Sequence, residues 1–137
     1  MLSIVRERID PRALEAQVRS DTCGGLVTFL GIVRDRADDG RPVRGLQYES
    51  YDEMALAEFE KIAGEARERF GDVRLAAVHR VGELQIGDVA VAVCVAGAHR
   101  GEAFAACRYA IDELKRRLPI WKKELYADGG GDWKPNA

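Results

Sequence analysis

The stretch from Asp52 to Phe70 constrains this chain most. Ala55, Phe59, Ile62, Ala63, Ala66 and Phe70 recur at spacings of three and four, the period of one face of an α-helix. Gly71 follows where a C-terminal cap glycine belongs. A helix with one apolar stripe must lay it against another layer, and the flanking segments supply candidates. Leu26 to Val33, Val73 to Arg80 and Val89 to Ala96 are rich in β-branched and apolar residues and read as buried strands. Val43 to Tyr51 alternates as a further strand.

The remaining elements follow from punctuation. Asp10-Pro11 opens a short helix over Ala13 to Val18, because Asp caps free N–H groups and Pro is tolerated at the first helical position. A second long helix is expected from about Gly101 to Leu118, with Ala103, Phe104, Cys107, Ala110, Ile111 and Leu114 as its apolar stripe. Pro119 stops it. Ile120 to Tyr126 should be extended, and Gly129-Gly130-Gly131 a flexible break before Trp133. The charged segment from Arg34 to Pro42 reads as a mobile loop, and the stretch containing Gly82 and Gly87 as turns. Helices and strands do not alternate strictly, so the pattern is α+β in a single domain over residues 1–137 rather than a doubly wound parallel sheet.

Bulk properties exclude several functions. Lys+Arg number 21 against 23 Asp+Glu, a formal net charge of -2, which gives no overall basic field for nucleic acid or an anionic membrane. No apolar run is long enough to span a bilayer, and Met1 to Asp10 resembles no targeting peptide. Cys23, Cys94 and Cys107 lack metal-ligand spacing and read as reduced, mostly buried thiols of a cytoplasmic protein.

Any anion site must then be a local cluster. Arg34 ends an apolar strand and presents a guanidinium suited to phosphate or carboxylate, or else simply faces water. His99-Arg100 sits between a strand and a helix N-terminus, where backbone N–H groups favour an anion. Lys115 lies in the last helical turn before Pro119, and the extended segment returns Lys122, Lys123 and Glu124 past it. Alternation allows Lys122 or Lys123, but not both, to join Lys115. Two close ammonium groups lower the pKa of at least one, which suits proton transfer near neutral pH; the alternative is a solvated basic helix end. His79-Arg80 reads as structural or dimer-facing, and Trp121 as core or interface. No phosphate loop, dinucleotide fingerprint, zinc-protease or serine-hydrolase motif is present.

Taken together, Phe29-Leu30-Gly31-Ile32-Val33-Arg34, Leu46-Gln47-Tyr48-Glu49-Ser50-Tyr51 with Met54-Ala55, His79-Arg80-Val81-Gly82, His99-Arg100 with Ala103-Phe104, and Ile111-Asp112-Glu113-Leu114-Lys115 running into Pro119-Ile120-Trp121-Lys122-Lys123-Glu124 resemble the large, catalytic subunit family of molybdopterin synthase. The resemblance covers nearly the whole chain. It implies an α/β hammerhead-like fold with an additional antiparallel sheet. It also implies a sulfurtransferase of molybdenum cofactor biosynthesis that converts cyclic pyranopterin monophosphate (precursor Z) to molybdopterin. Sulfur would arrive as a thiocarboxylate on the C-terminal Gly-Gly tail of a small ubiquitin-like subunit, within a heterotetramer built on a homodimer of large subunits.

By position, Lys115 and Lys122 match the family's functional lysines. Arg34, His99 and Arg100 match its substrate-binding residues, and Lys123 and Glu124 border the same pocket. The resemblance implies no cofactor and no metal. One departure is the short tail: only Lys134-Pro135-Asn136-Ala137 follow Trp133, so a basic residue sent into a neighbouring subunit's site would have to be Lys134. The competing readings are a phosphate-ester hydrolase or transferase using the same cations, and a non-catalytic module that docks a ubiquitin-like protein.

Overall fold

The computed structural model describes residues 1–136. Its elements run β1 (Leu2–Val5), α1 (Pro11–Val18), β2 (Gly25–Ile32), β3 (Val43–Ser50), α2 (Asp52–Phe70), β4 (Arg74–Arg80), β5 (Gly82–Gln85), β6 (Val89–Gly97), α3 (Arg100–Arg117), β7 (Ile120–Tyr126) and β8 (Gly131–Pro135). They form two four-stranded sheets, β1-β4-β6-β2 and β5-β3-β7-β8. Among the described residues, only the β1–β4 pairing is parallel. The α+β expectation holds.

The first sheet is covered on both faces, and strand alternation sorts its side chains. Leu75, Ala77, Val91, Val93 and Val95 pack with Phe59, Ile62 and Ala66 of α2 and Ala106 and Ala110 of α3. Their neighbours Ala76, Val78, Ala92, Cys94 and Ala96 face the other way, onto Leu14 and Val18 of α1. That is why β6 is apolar without interruption: both of its faces are interior. Burying a side chain of this kind is worth roughly 1.5–3 kcal/mol. Leu46, Tyr48, Leu84 and Ile120 bring the second sheet into the same core. Asp10 caps α1 as the sequence suggests, its Oδ1 accepting from the Arg12 N–H at 3.0 Å.

Three strands were not legible in advance. β1 is short and gains its partner only when β4 lies beside it. The stretch read as turns contains β5, which leaves the first sheet at Gly82, φ 96°, and pairs with β3 in the second. The triple glycine is a hairpin turn rather than a flexible break. Gly129 and Gly130 take φ of 101° and 76°, a region open to glycine at little cost, and β8 pairs back along β7. The Arg34 to Pro42 loop is also closed on itself. Ala37 N–H donates to Arg41 O at 2.9 Å, Ala37 is buried with Val43 and Tyr126, and Arg41 lies 3.6 Å from the Tyr126 ring centre. Phe104, placed in the core stripe by periodicity, is instead exposed at 61%.

Candidate active site at the end of helix α3

Lys115 stands half-buried in the last turn of α3. Pro119 turns the chain, and β7 returns in register with β3, Tyr48 opposite Lys122 and Leu46 opposite Glu124. Alternation therefore puts Lys122 and Glu124 on one face and Lys123 on the other. The structure selects Lys122: burial first, then the Lys122 charge, pushes the Lys115 ammonium below the ordinary lysine range. Lys123 turns away, its Nζ 5.9 Å from the Trp133 ring centre. Among the described residues no carboxylate lies within salt-bridge distance of Lys115 or Lys122.

Neighbouring charges are arranged to keep it so. Glu124, buried at the edge of the cluster, is ion-paired with Lys134 across β7–β8. Lys134 thus answers a carboxylate of its own chain. Arg34 is exposed and donates to Asp38 at 2.7 Å. Asp38 is held below the usual carboxylate range by Arg34 first, with smaller contributions from Lys122 and Lys134. Arg34 therefore shares one field with both lysines.

Two further residues, not among the expected site residues, lie against Lys115. His79, read as structural or dimer-facing, is fully buried. Its Nδ1 lies 2.8 Å from Arg80 O and its Nε2 3.2 Å from Asn136 Nδ2. Desolvation pushes it down to about 4, against its backbone hydrogen bond, and the Lys115 charge lowers it further. Asn136 is buried too, and its Oδ1 accepts from Lys115 Nζ at 3.3 Å. The only sequence signal was a histidine inside an apolar strand; the asparagine gave none, since it reaches the site through β8.

His99 and Arg100 do not join Lys115 within one chain. They are exposed at the opposite end of α3, and fifteen residues at 1.5 Å each separate them by roughly 22 Å. The helix N-terminus there is partly satisfied internally, because Glu102 accepts the His99 N–H. Between the two ends runs a groove of about 540 Å³ lined by Val27, Phe29, Phe104, Cys107, Ile111 and Lys115. Trp121 is not core: it is 37% exposed and stacks edge-on with Tyr51, ring centres 5.2 Å apart. A larger cleft of about 590 Å³, around Met1, Glu60, Arg67, Asp72 and Arg74, mixes acids with bases and holds none of the candidate residues. The cysteines offer no ready thiolate in the core: burial raises Cys94 and takes Cys107 up to about 11.

The chain has relatives among known proteins and solved structures. The family described as MoaE protein matches residues 4–117. A molybdopterin synthase catalytic subunit from Pyrococcus abyssi is 48% identical over 114 residues, 83% of this chain and 76% of the relative. Among solved structures, molybdopterin synthase from Staphylococcus aureus superposes with a TM-score of 0.90 at 36% identity, covering 96% of this chain and 95% of that one. A chain from the complex of subunits 1 and 2 of molybdopterin-converting factor from Helicobacter pylori aligns with a TM-score of 0.78 at 26% identity, covering 96% and 88%.

Proposed function

The chain belongs to the MoaE protein family, and we propose from that premise how its site makes molybdopterin. Membership makes it a sulfur-transfer enzyme of molybdenum cofactor biosynthesis, the catalytic subunit of molybdopterin synthase. A small subunit is its partner, as in the complex from Helicobacter pylori. The substrate in our reading is precursor Z, and the sulfur donor is a thiocarboxylate on the C-terminal Gly-Gly tail of that ubiquitin-like subunit, in the cytoplasm.

The observation that carries the mechanism is the half-buried Lys115 beside Lys122, with no carboxylate of the described residues within salt-bridge distance of either. The thiocarboxylate sulfur adds to a side-chain carbonyl carbon of the pterin, forming a C–S bond as the C–O π pair moves onto oxygen, which leaves as water once protonated. Lys115, with its lowered pKa, moves the proton and stabilises the negative charge that develops. Lys122 orients the anionic tail, with Lys123 and Glu124 bordering the pocket. Water then cleaves the acyl–sulfur bond, the tail leaves as carboxylate, and a second carrier brings the second sulfur.

Arg34, His99 and Arg100 hold the substrate's phosphate and pterin, and the roughly 22 Å between helix ends requires that His99 and Arg100 come from a second copy. β2 is the edge of its sheet, with Leu26, Phe29 and Ile32 exposed along it, and an uncovered edge strand is a template for pairing. Gly25, at one end of β2, lies against His99 and Arg100, while Arg34 follows the other end. Antiparallel pairing of β2 with itself about a two-fold axis puts one copy's His99 and Arg100 beside the other's Arg34, the geometry of an isologous dimer.

The test is reconstituted turnover with precursor Z and thiocarboxylated small subunit, following molybdopterin as its fluorescent oxidation product. Product from the wild type and almost none from folded Lys115→Ala supports the reading. Equal product from both removes Lys115 from the mechanism. Release of phosphate without the small subunit points to a phosphate-ester enzyme; carrier binding without turnover points to a docking module.

A further inference from the structure

We propose that His79 and Asn136 are positioning residues for Lys115, a relay that fixes which way the lysine nitrogen presents its lone pair. The inference rests on the reading of Lys115 as the proton-transfer group.

The hydrogen bonds leave one consistent assignment. Arg80 O only accepts, so the His79 nitrogen 2.8 Å from it, Nδ1, carries the proton. A buried neutral imidazole with Nδ1 protonated has a bare, accepting Nε2. Asn136 therefore turns its amide nitrogen to His79, 3.2 Å away, and its oxygen to Lys115, 3.3 Å from Nζ. The amide cannot turn over without setting its oxygen against the imidazole lone pair and its N–H groups against an ammonium. Tyr48 walls the imidazole edge-on, ring centres 4.9 Å apart, and the Asn136 N–H donates to Ile120 O at 3.2 Å, so both partners are held from behind.

The chemical consequence concerns the deprotonated amine. An oxygen can only accept, so one N–H of Lys115 stays on Asn136 in either protonation state. The lone pair of the neutral amine then points away from Asn136, free to take a proton. The reversed amide would donate into that lone pair and quench the base. His79 does this without titrating near neutrality, since burial keeps it uncharged.

The experiment combines turnover with a readout independent of activity: titration of Lys115 by NMR in lysine-labelled protein, the resonance assigned with Lys115→Arg. Asn136→Leu removes the acceptor at similar volume. Its kcat is expected to fall about 10- to 100-fold, with KM within about twofold, as for a misplaced reacting group. The Lys115 midpoint is expected to move down, because the ammonium loses its acceptor. Asn136→Asp keeps an acceptor and adds charge, so the midpoint should move up. His79→Gln, which still offers an acceptor to the amide, should keep kcat within about threefold, whereas His79→Leu should behave like Asn136→Leu. Wild-type kcat together with an unmoved Lys115 titration in Asn136→Leu overturns the relay. A wild type that does not turn over would instead remove the functional reading, and the lysine titration would still decide the relay by itself.

Discussion

Lowering the pH from 7 to 5 should weaken the fold through a single side chain. His79 is 0% exposed and its pKa is pushed down to about 4 from 6.5. The native state therefore binds fewer protons than the unfolded chain, and stability falls as pH drops below the unfolded value. The His79 contribution is fully present above about pH 6.5, is lost progressively down to about pH 4, and is constant below. Between pH 7 and pH 5 the loss integrates to about 2 kcal/mol for these two pKa values. That is a large share of a typical 5–15 kcal/mol, and a shift of about 1 M in the urea midpoint for a protein of this size.

The window is clean from below. The depressed carboxylates, Glu65 at about 2 and Asp38, Glu58 and Glu113 also lowered, lose their contributions only as pH falls below the unfolded carboxylate range. The N-terminal amine, lowered from 8.0 by burial, is common to every variant and cancels from the comparison. Urea unfolding of wild type and His79→Gln at pH 7 and pH 5, read by tryptophan fluorescence, isolates the His79 contribution. The variant should lose about 2 kcal/mol less than the wild type across that interval. Since the chain has 2 histidines, the His79 resonance can also be titrated directly. An equal loss in both proteins, or a native His79 titrating near 6.5, would mean that His79 burial does not set the pH dependence.

Other outcomes follow from packing. Phe59→Ala, at a fully buried position between α2 and the first sheet, should cost about 3–5 kcal/mol by thermal or urea unfolding. Gly45→Val should destabilise by about 1–3 kcal/mol in the same assay, because a Cβ there would sit 2.6 Å from the Leu84 carbonyl oxygen of β5. Thiol titration of the native protein should show the half-buried Cys23 reacting first, while Cys94 and Cys107 wait for unfolding.

The parts legible in the sequence were those with local causes. The period of α2 and its Gly71 cap, the Asp10-Pro11 start of α1 and the Pro119 stop of α3 all depend on neighbours within a turn or two. Alternation also decided that only one of Lys122 and Lys123 faces Lys115. The features that escaped depend on residues far apart in the chain. β1 needs β4, β5 needs β3, and β8 is a strand only because the glycines behind it make a turn. Phe104 kept helical spacing but faces the groove, since periodicity gives a face and not what covers it. The Lys115–Asn136–His79 contacts join three elements, so no local pattern announces them. The separation of His99-Arg100 from Lys115 was implicit in the helix length, yet the charge theme of the sequence grouped them.

The rigid span of α3 also gives the assembly an arithmetic of its own. If each site draws Lys115 from one copy and Arg100 from the other, Lys115→Ala and Arg100→Ala subunits are each inactive alone and complementary when mixed. Random reassortment makes half of the dimers hybrids. Each hybrid pools both intact groups at one site and both lesions at the other, so about one quarter of wild-type turnover should reappear from two dead preparations. A site contained within one chain would regain nothing.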